Sequence, residues 1–207
     1  MLMNKKLRLS GTSIGIIVVL IAGFSLIFPE VYKDNEFVKN AWFGNDLITA
    51  FLTGPILIVL SLIKNMKEKL QFSLFLGMLW YMFYNYFFYL FGSAFNPLFL
   101  IYLLIIILSG KILISSIAHI FIDKSYDSIK ILNTFGIKIV GIFLIMFGSL
   151  IALMWISLSL FSIIKNIVPP QVEQTGGITA IIFAIDLLFL VPSTLISGTL
   201  LLKQKKG

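Results

Sequence analysis

Six polar side chains have the residue types and spacing that a small binding site in an apolar protein would need. They are Asp46, Tyr81, Asn85, Tyr89, Asn96 and Asp186. Carboxylates and amides are costly in a bilayer, so residues of these types inside apolar stretches are candidates for function. Tyr81, Asn85 and Tyr89 are spaced four residues apart, so they share one face of a helix. This pattern suits the binding of a small solute or ion. It indicates no catalytic residue, no metal site and no cofactor.

Two of these candidates also have a simple structural interpretation at a helix start. Asn45 is a favourable helix cap, and Asp46 would then lie in the first turn, where the helix dipole stabilises an anion. Asn96 followed by Pro97 is a similar start, with an asparagine cap and proline at the first helical position. A structural role and a binding role stay open for both residues.

Lys111 and Asp186 are the ionisable side chains that lie well inside apolar segments. At 1.5 Å per residue they differ by about 8 Å in depth, so they could form an ion pair within the bilayer. Lys111 could instead extend along its helix toward the lipid head groups, or contact a ligand. Asp186 and the Tyr81–Asn85–Tyr89 face could either hydrogen-bond to neighbouring helices or line a ligand site.

The composition excludes a water-soluble globular protein. Of 207 residues, 59% are hydrophobic and only 12% are charged, whereas soluble domains have about 25% charged residues. Because there is no cysteine and only one histidine, disulfide scaffolds and bis-histidine haem sites are excluded as well.

Six apolar segments predict an all-α, polytopic integral membrane helix bundle. A membrane-spanning helix needs about 20 mostly apolar residues. The predicted spans are Leu9–Phe28, Leu47–Ile63, Leu70–Phe91, Leu98–Ile122, Ile139–Ile164 and Ile178–Leu202, within a single domain of residues 1–207.

The distribution of basic residues predicts that both termini are cytoplasmic, because Lys and Arg concentrate on that side of the membrane. With this orientation the inner segments contain Lys5, Lys6, Arg8, Lys64, Lys67, Lys69, Lys124, Lys130, Lys138, Lys203, Lys205 and Lys206, and the outer segments contain Lys33, Lys39 and Lys165. The net charge of +7 therefore reflects topology, and nucleic-acid binding is not predicted. The inner lysines favour anionic lipid head groups.

Two sequence motifs resemble processing or catalytic signals but are not interpreted as such. Met1–Arg8 is basic and precedes an apolar run, yet the run is longer than that of a usual signal peptide, so we expect it to be retained as the first span. Gly11–Gly15 matches the G-x-S-x-G pattern of hydrolases, but no strand precedes it. The one histidine, His119, lies at the opposite end from the candidate site.

Prolines and small residues indicate where the spans bend and pack. Pro55 and Pro192 predict kinks in the second and sixth spans. These kinks either only bend the helices or act as gating hinges. The segment Glu30–Asn45 is the longest outer loop, and its aromatic residues suit a short amphipathic piece at the interface. Small residues that favour close helix packing are Gly141, Gly148, Ala152, Ser193 and Ser197.

Several short motifs resemble a widespread set of uncharacterised prokaryotic multi-pass membrane proteins. They are Tyr32-Lys33-Asp34-Asn35, Gly44-Asn45-Asp46-Leu47, Tyr84-Asn85-Tyr86 through Tyr89, Phe91-Gly92, Phe95-Asn96, and Asp186-Leu187 with Pro192. The resemblance implies a multi-pass architecture in a prokaryotic cytoplasmic membrane, often with further spans, but no activity. Lys111 departs from the apolar residue that this resemblance implies.

Three functions are compatible with these features. The first is binding or translocation of a small solute or ion at an outward-facing polar and aromatic site. The second is a non-catalytic subunit or scaffold that packs against a membrane partner or a second copy. The third, favoured least, is a lipid-active membrane enzyme that uses Asp46 or Asp186.

Overall fold

The computed structural model describes residues 3–64, 66–122, 134–177 and 179–203. Every regular element in these ranges is helical, which confirms the all-α fold class. Six of the helices are long and apolar enough to cross a membrane. The predicted inner connection Asp123–Lys138 lies mostly outside the described residues, as do the side chain of His119 and the residues after Lys203.

The six long helices are built from eight α-helical segments. In chain order the elements are α1 (Lys5–Ile27), the 3-10 turn Pro29–Val31, α2 (Glu36–Ile48), α3 (Gly54–Leu62), α4 (Glu68–Gly92), α5 (Phe99–Ile122), α6 (Thr134–Lys165), the short helix α7 (Pro170–Thr175), α8 (Ile181–Ile185) and α9 (Val191–Lys203). A π-helical turn, Thr49–Thr53, joins α2 to α3 without a break. A second π-helical turn, Asp186–Leu190, joins α8 to α9 in the same way.

The chain divides into two compact units, residues 1–129 and 130–207. The first unit contains α1 to α5, and the second contains α6 to α9. The single domain expected from the sequence stays a prediction.

The second long helix begins at Glu36 rather than at the predicted Leu47, and extends to Leu62. Asn35 caps it, because its side-chain oxygen accepts a hydrogen bond from the Val38 N–H. Glu36 then lies in the first turn, where the helix dipole favours an acidic residue. Most of the predicted outer loop Glu30–Asn45 is therefore helical.

Both prolines that predict a kink follow a π-helical turn. Proline has no N–H, and its ring collides with the carbonyl four residues earlier in a regular helix. Directly before Pro55, the Gly54 N–H donates to the Thr49 carbonyl, which is five residues earlier. Directly before Pro192, the Val191 N–H donates to the Asp186 carbonyl, also five residues earlier. The wider turn accommodates the proline ring, whereas a gating role stays a prediction.

In the first unit, α1 packs closely on α3 through two glycines. A Cβ atom on Gly15 would lie 2.6 Å from Ile58 Cγ1 and 3.2 Å from the Gly54 carbonyl oxygen. Gly11, four residues earlier, faces Ser61 and the ring of Phe75. The Gly11–Gly15 motif therefore acts in helix packing, since small residues let backbones approach.

At the far end of α3, Arg8 binds backbone carbonyls that the helix leaves without partners. Its Nη1 donates to the Ser61 and Ile63 carbonyls at 3.1 and 2.7 Å, and its Nε donates to the Met3 carbonyl. Gln71 is buried beside it and donates to the Ile63 carbonyl at 2.8 Å. These bonds satisfy the last turn of α3, because carbonyls at a helix end need external donors.

In the second unit, α6 packs on α9 through small residues. Gly141 lies against Gly198, and Gly148 lies against Thr194, which confirms the predicted close packing at both glycines of α6. On α9, Thr194 and Gly198 face α6, whereas Ser197 is exposed. Close packing at Ser193 stays a prediction.

We predict that Gly15→Ala destabilises the protein by about 1–3 kcal/mol, because the added methyl group forces α1 and α3 apart. The measurement is the unfolding midpoint in detergent. Gly23→Ala is the matched control on the same helix, since nothing lies within 4 Å of its added Cβ. Equal unfolding midpoints for the two variants would contradict the packing role of Gly15.

Candidate functional site

The candidate site is centred on the carboxylate of Asp46 near the end of α2. Asp46 is only 3% exposed. The hydroxyl of Tyr32 donates to its Oδ2 at 2.7 Å, and the hydroxyl of Tyr89 donates to its Oδ1 at 2.8 Å. Each carboxylate oxygen therefore has one hydroxyl donor, and hydrogen bonds of this kind to an ionised group are strong.

Three elements bring these groups together. The segment after α1, with its 3-10 turn, positions Tyr32, α2 carries Asp46, and the last turns of α4 carry Tyr89. The interpretation of Asn45 as a cap with Asp46 in the first turn was wrong. The helix begins ten residues before Asp46, at Glu36, so a group expected at the helix surface is buried.

Tyr32 lies outside the long helices and acts as a protonated donor. Burial raises the pKa of Tyr32 above the ordinary value of a tyrosine, because the charged phenolate would lose its solvent. The nearby carboxylate of Asp46 raises this pKa further. The hydroxyl therefore stays protonated at physiological pH and continues to donate to Asp46.

Aromatic rings surround the Asp46 carboxylate. We call this set the aromatic cluster; its members are Tyr32, Trp42, Tyr86, Tyr89 and Tyr102, all of them buried. The Trp42 and Tyr89 rings stack at 4.6 Å between centroids, and the Tyr89 and Tyr102 rings lie 5.2 Å apart. Contacts of this geometry stabilise a cluster beyond the apolar area that it buries.

Asn85 is buried one helical turn before Tyr89. Its Oδ1 accepts a hydrogen bond of 2.8 Å from Asn45 Nδ2, whereas its own Nδ2 has no partner. Tyr81, a further turn away and half-buried, lies near the hydroxyls of Thr49 and Thr53 in the first π-helical turn. Asn85 therefore belongs to the region around Asp46, while Tyr81 lies next to the π-helical turn.

Asn96 lies in the turn before α5 and borders a half-open cleft. Its Oδ1 accepts from the Leu98 N–H at 3.0 Å, but α5 begins at Phe99, so Pro97 is not the first helical residue as predicted. The cleft has a volume of about 90 Å³. Its walls are Leu90, Ser93, Ala94, Phe95, Asn96, Phe99 and Tyr102.

Asp34 and Tyr102 are two further polar residues near the cleft at Asn96. The Ala94 N–H donates to Asp34 Oδ1 at 2.7 Å, and Asp34 Oδ2 is buried without a partner. The Tyr102 hydroxyl lies close to Tyr32 and Asn96 but makes no hydrogen bond of normal geometry. Neither residue was among the sequence candidates. Tyr32 and Asp34 do occur in the motif Tyr32-Lys33-Asp34-Asn35, which was the available signal.

Asp186 lies in the second unit, at the first residue of the second π-helical turn, and is buried. The indole N–H of Trp155 donates to its Oδ2 at 2.7 Å, and Trp155 stacks on Phe183 at 4.1 Å between ring centroids. Sequence reasoning missed Trp155, although a tryptophan in an apolar span needs an acceptor for its N–H. This bond matches the structural interpretation of Asp186.

Lys111 is exposed on the side of α5 that also exposes Leu104, Ile107 and Ile114. This exposure is compatible with the interpretation in which Lys111 extends along its helix, which stays a prediction. Its pairing with Asp186, which lies in the other unit, stays a prediction.

Within the described ranges, no three His, Cys, Asp or Glu side chains converge to hold a metal ion. Comparison with known proteins found no matching family model, curated protein or solved structure. The resemblance to uncharacterised multi-pass proteins stays a prediction, and the function has to be argued from the geometry of the site.

We predict that Tyr89→Phe destabilises the protein by about 1–3 kcal/mol, because it leaves one oxygen of a buried carboxylate without a donor. Thermal unfolding in detergent measures the effect. Tyr102→Phe is the control in the same aromatic cluster, and it should not destabilise the protein, since the lost hydroxyl makes no hydrogen bond of normal geometry. If Tyr89→Phe were as stable as the control, the Asp46 hydrogen bonds would have no structural importance.

Proposed function

We propose that this multi-pass membrane protein binds or translocates a small solute or ion at the end of its first unit where Asp46 lies. The observation that carries the proposal is the buried Asp46 carboxylate, held by two tyrosine hydroxyls inside the aromatic cluster, beside the cleft at Asn96. Burying a charge among apolar side chains is costly, and such groups commonly serve a ligand pathway.

The size of the cleft favours a small ligand. Pockets for drug-sized ligands have volumes of about 300–1,000 Å³, whereas this cleft has about 90 Å³. The cleft therefore suits a hydrated ion or a compound of a few non-hydrogen atoms. Its walls combine aromatic rings with Ser93 and Asn96, which is the usual mixture of an apolar lining and a few polar groups.

The charge distribution supports an orientation in which this end faces outward and both termini are cytoplasmic. In this orientation a ligand would reach the cleft from outside the cell, in the cytoplasmic membrane of a prokaryote. Anionic lipid head groups would then contact the lysines at the opposite ends of the helices.

A scaffold role is the second candidate, because α6 is far less buried than the other long helices. In its most apolar stretch 11% of the residues are buried, compared with 33–44% in the others. A membrane partner or a second copy could cover this surface, and so could lipid. The lipid-active enzyme is favoured least, because both oxygens of Asp46 already accept hydroxyl donors.

A panel of small cations, anions and neutral solutes tests binding, with the protein reconstituted in nanodiscs. A ligand at 100 times its Kd stabilises the folded state by about 2.7 kcal/mol, which raises the unfolding midpoint by several degrees. We expect at least one solute to do so for the natural sequence, and Ala94→Leu, which fills the cleft, to abolish the shift.

Ala41→Leu is the control, since Ala41 is exposed on α2 in the same unit. It should keep the full shift. The binding proposal fails if no solute stabilises the natural sequence, or if Ala94→Leu responds as strongly as Ala41→Leu.

Single cysteines test the orientation, because the natural chain has none. Lys33 and Lys67 are both exposed, at opposite ends of the first unit's helices. In intact cells, a membrane-impermeant maleimide should label Lys33→Cys at once and Lys67→Cys only after permeabilisation. The reverse pattern would contradict the proposed orientation.

A further inference from the structure

The N–H donors of the cleft at the end of the first unit are already used, whereas two polar groups in or beside the cleft have no partner, Asp34 Oδ2 and the Tyr102 hydroxyl. Asn96 Nδ2 donates to Ser93 Oγ and to the Ala94 carbonyl at 3.3 and 3.1 Å. The Ser93 hydroxyl donates in turn to the Tyr89 carbonyl. The polar side chains of the cleft walls therefore have no free N–H group to offer an anion.

The Tyr102 hydroxyl is the polar group that this network does not use. Tyr102 is 1% exposed and lines the cleft, and its hydroxyl makes no hydrogen bond of normal geometry. A buried hydroxyl without a partner is costly, because it loses its bonds to water. A ligand with an N–H donor would satisfy the oxygen of this hydroxyl.

Asp34 supplies a negative charge next to the cleft. Asp34 is not itself a lining residue, but the bond from the Ala94 N–H holds its carboxylate directly behind the cleft wall, and the second oxygen, Oδ2, is buried and has no partner. An ionised carboxylate only accepts hydrogen bonds. Asp34 Oδ2 therefore indicates a ligand that donates hydrogen bonds, and the Tyr102 hydroxyl can either accept a hydrogen bond from such a ligand or donate one to it.

Basic groups do not compete for this position in the described part of the chain. No Lys, Arg or His lines the cleft. The nearest basic residue in sequence, Lys33, is exposed and donates to the Glu30 carbonyl at 3.0 Å. The charge of Asp34 is therefore available to a ligand.

Aromatic rings complete the walls. The rings of Phe95 and Phe99 lie 5.4 Å apart, and Phe95 is 80% exposed at the rim. The face of an aromatic ring attracts a cation by about 0.5–2 kcal/mol. Rings, a carboxylate and an unused hydroxyl together form the chemistry that recognises ammonium groups.

We propose that this cleft binds a small organic ammonium ion, with Asp34 as its counter-ion and the Tyr102 hydroxyl as an acceptor for one N–H. The proposal rests on the proposed binding function and names its ligand class. The volume of about 90 Å³ restricts the ligand to the size of a methylammonium ion or slightly larger. The Tyr89 hydroxyl donates to Asp46, and the Tyr89 carbonyl accepts from Ser93 in the cleft wall, so Asp46 is connected to the cleft through Tyr89.

Methylammonium is the probe that tests the proposal, compared with acetamide and acetate as neutral and anionic solutes of similar size. Binding is measured by thermal shift and titration calorimetry in nanodiscs at constant ionic strength. We expect methylammonium alone to bind the natural sequence. Asp34→Asn should weaken this binding at least tenfold, because it removes the charge but keeps an oxygen that can accept from the Ala94 N–H.

Two further variants separate binding from folding. Glu36→Gln removes an exposed carboxylate two residues away, which pairs with Lys39, and should leave methylammonium affinity unchanged. Tyr102→Phe should lower the affinity severalfold without loss of stability, since its hydroxyl makes no hydrogen bond of normal geometry. The Tyr102→Phe variant therefore still tests the ammonium site if Asp34→Asn fails to fold.

The outcomes distinguish this inference from the proposed function. If acetamide or acetate binds as well as methylammonium, or if Asp34→Asn keeps the natural affinity, the ammonium site is overturned while a solute-binding function stands. If neither these probes nor the wider panel binds, the proposed function fails together with the inference.

Discussion

A carboxylate that is buried among apolar side chains must find donors within the protein, and in the first unit this requirement determines how three parts of the chain meet. Asp46 has no water to solvate it, so Tyr32 and Tyr89 take over that role. The segment after α1, the end of α2 and the end of α4 are thereby fixed around one group. The stacked rings of the aromatic cluster pack against the same side chains, so that polar and apolar contacts support each other.

The same constraint acts at the other end of the first unit, with the opposite charge. There the groups that need partners are the last carbonyls of α3, and Arg8 and Gln71 supply the donors. Between the two ends, α1 and α3 approach closely because Gly15 has no side chain. Hydrogen-bond networks thus connect the helices at both ends, and close packing connects them in the middle. Helices that associate in a membrane are expected to depend on these two interactions, because the hydrophobic effect does not drive their association there.

The sequence predicted the helical spans well, because the length of an apolar run is a local property. It predicted the start of the second span poorly, since Glu36 and the aromatic residues after it look like a loop until the cap at Asn35 is seen. Asp46 and Asn85 were found because charged and amide groups are rare in apolar runs. Tyr89 was found because it is four residues from Asn85 and shares its helix face. Their binding role stays a prediction.

The partners of these groups could not be predicted in the same way. Tyr32 and Tyr89 are 14 and 43 residues from Asp46 along the chain, and Trp155 is 31 residues from Asp186. Helical periodicity describes one element at a time, so it does not show which tyrosine or tryptophan on another element lies opposite. Asp34 was missed for the same reason, since the N–H that donates to it belongs to Ala94, which follows α4 and is 60 residues away along the chain.

The π-helical turns break the helical phase of the two spans in which they occur. Each turn replaces a four-residue hydrogen-bonding step by a five-residue step, and so contains one residue more than a regular helix would. Successive residues of an α-helix are separated by about 100° around the axis. One extra residue therefore rotates the helix before the turn by about that angle relative to the helix after it. A helical wheel drawn through the whole of Glu36–Leu62 therefore misplaces Asp46 relative to α3 by about 100°, and the exposed faces of α2 and α3 have to be assigned separately.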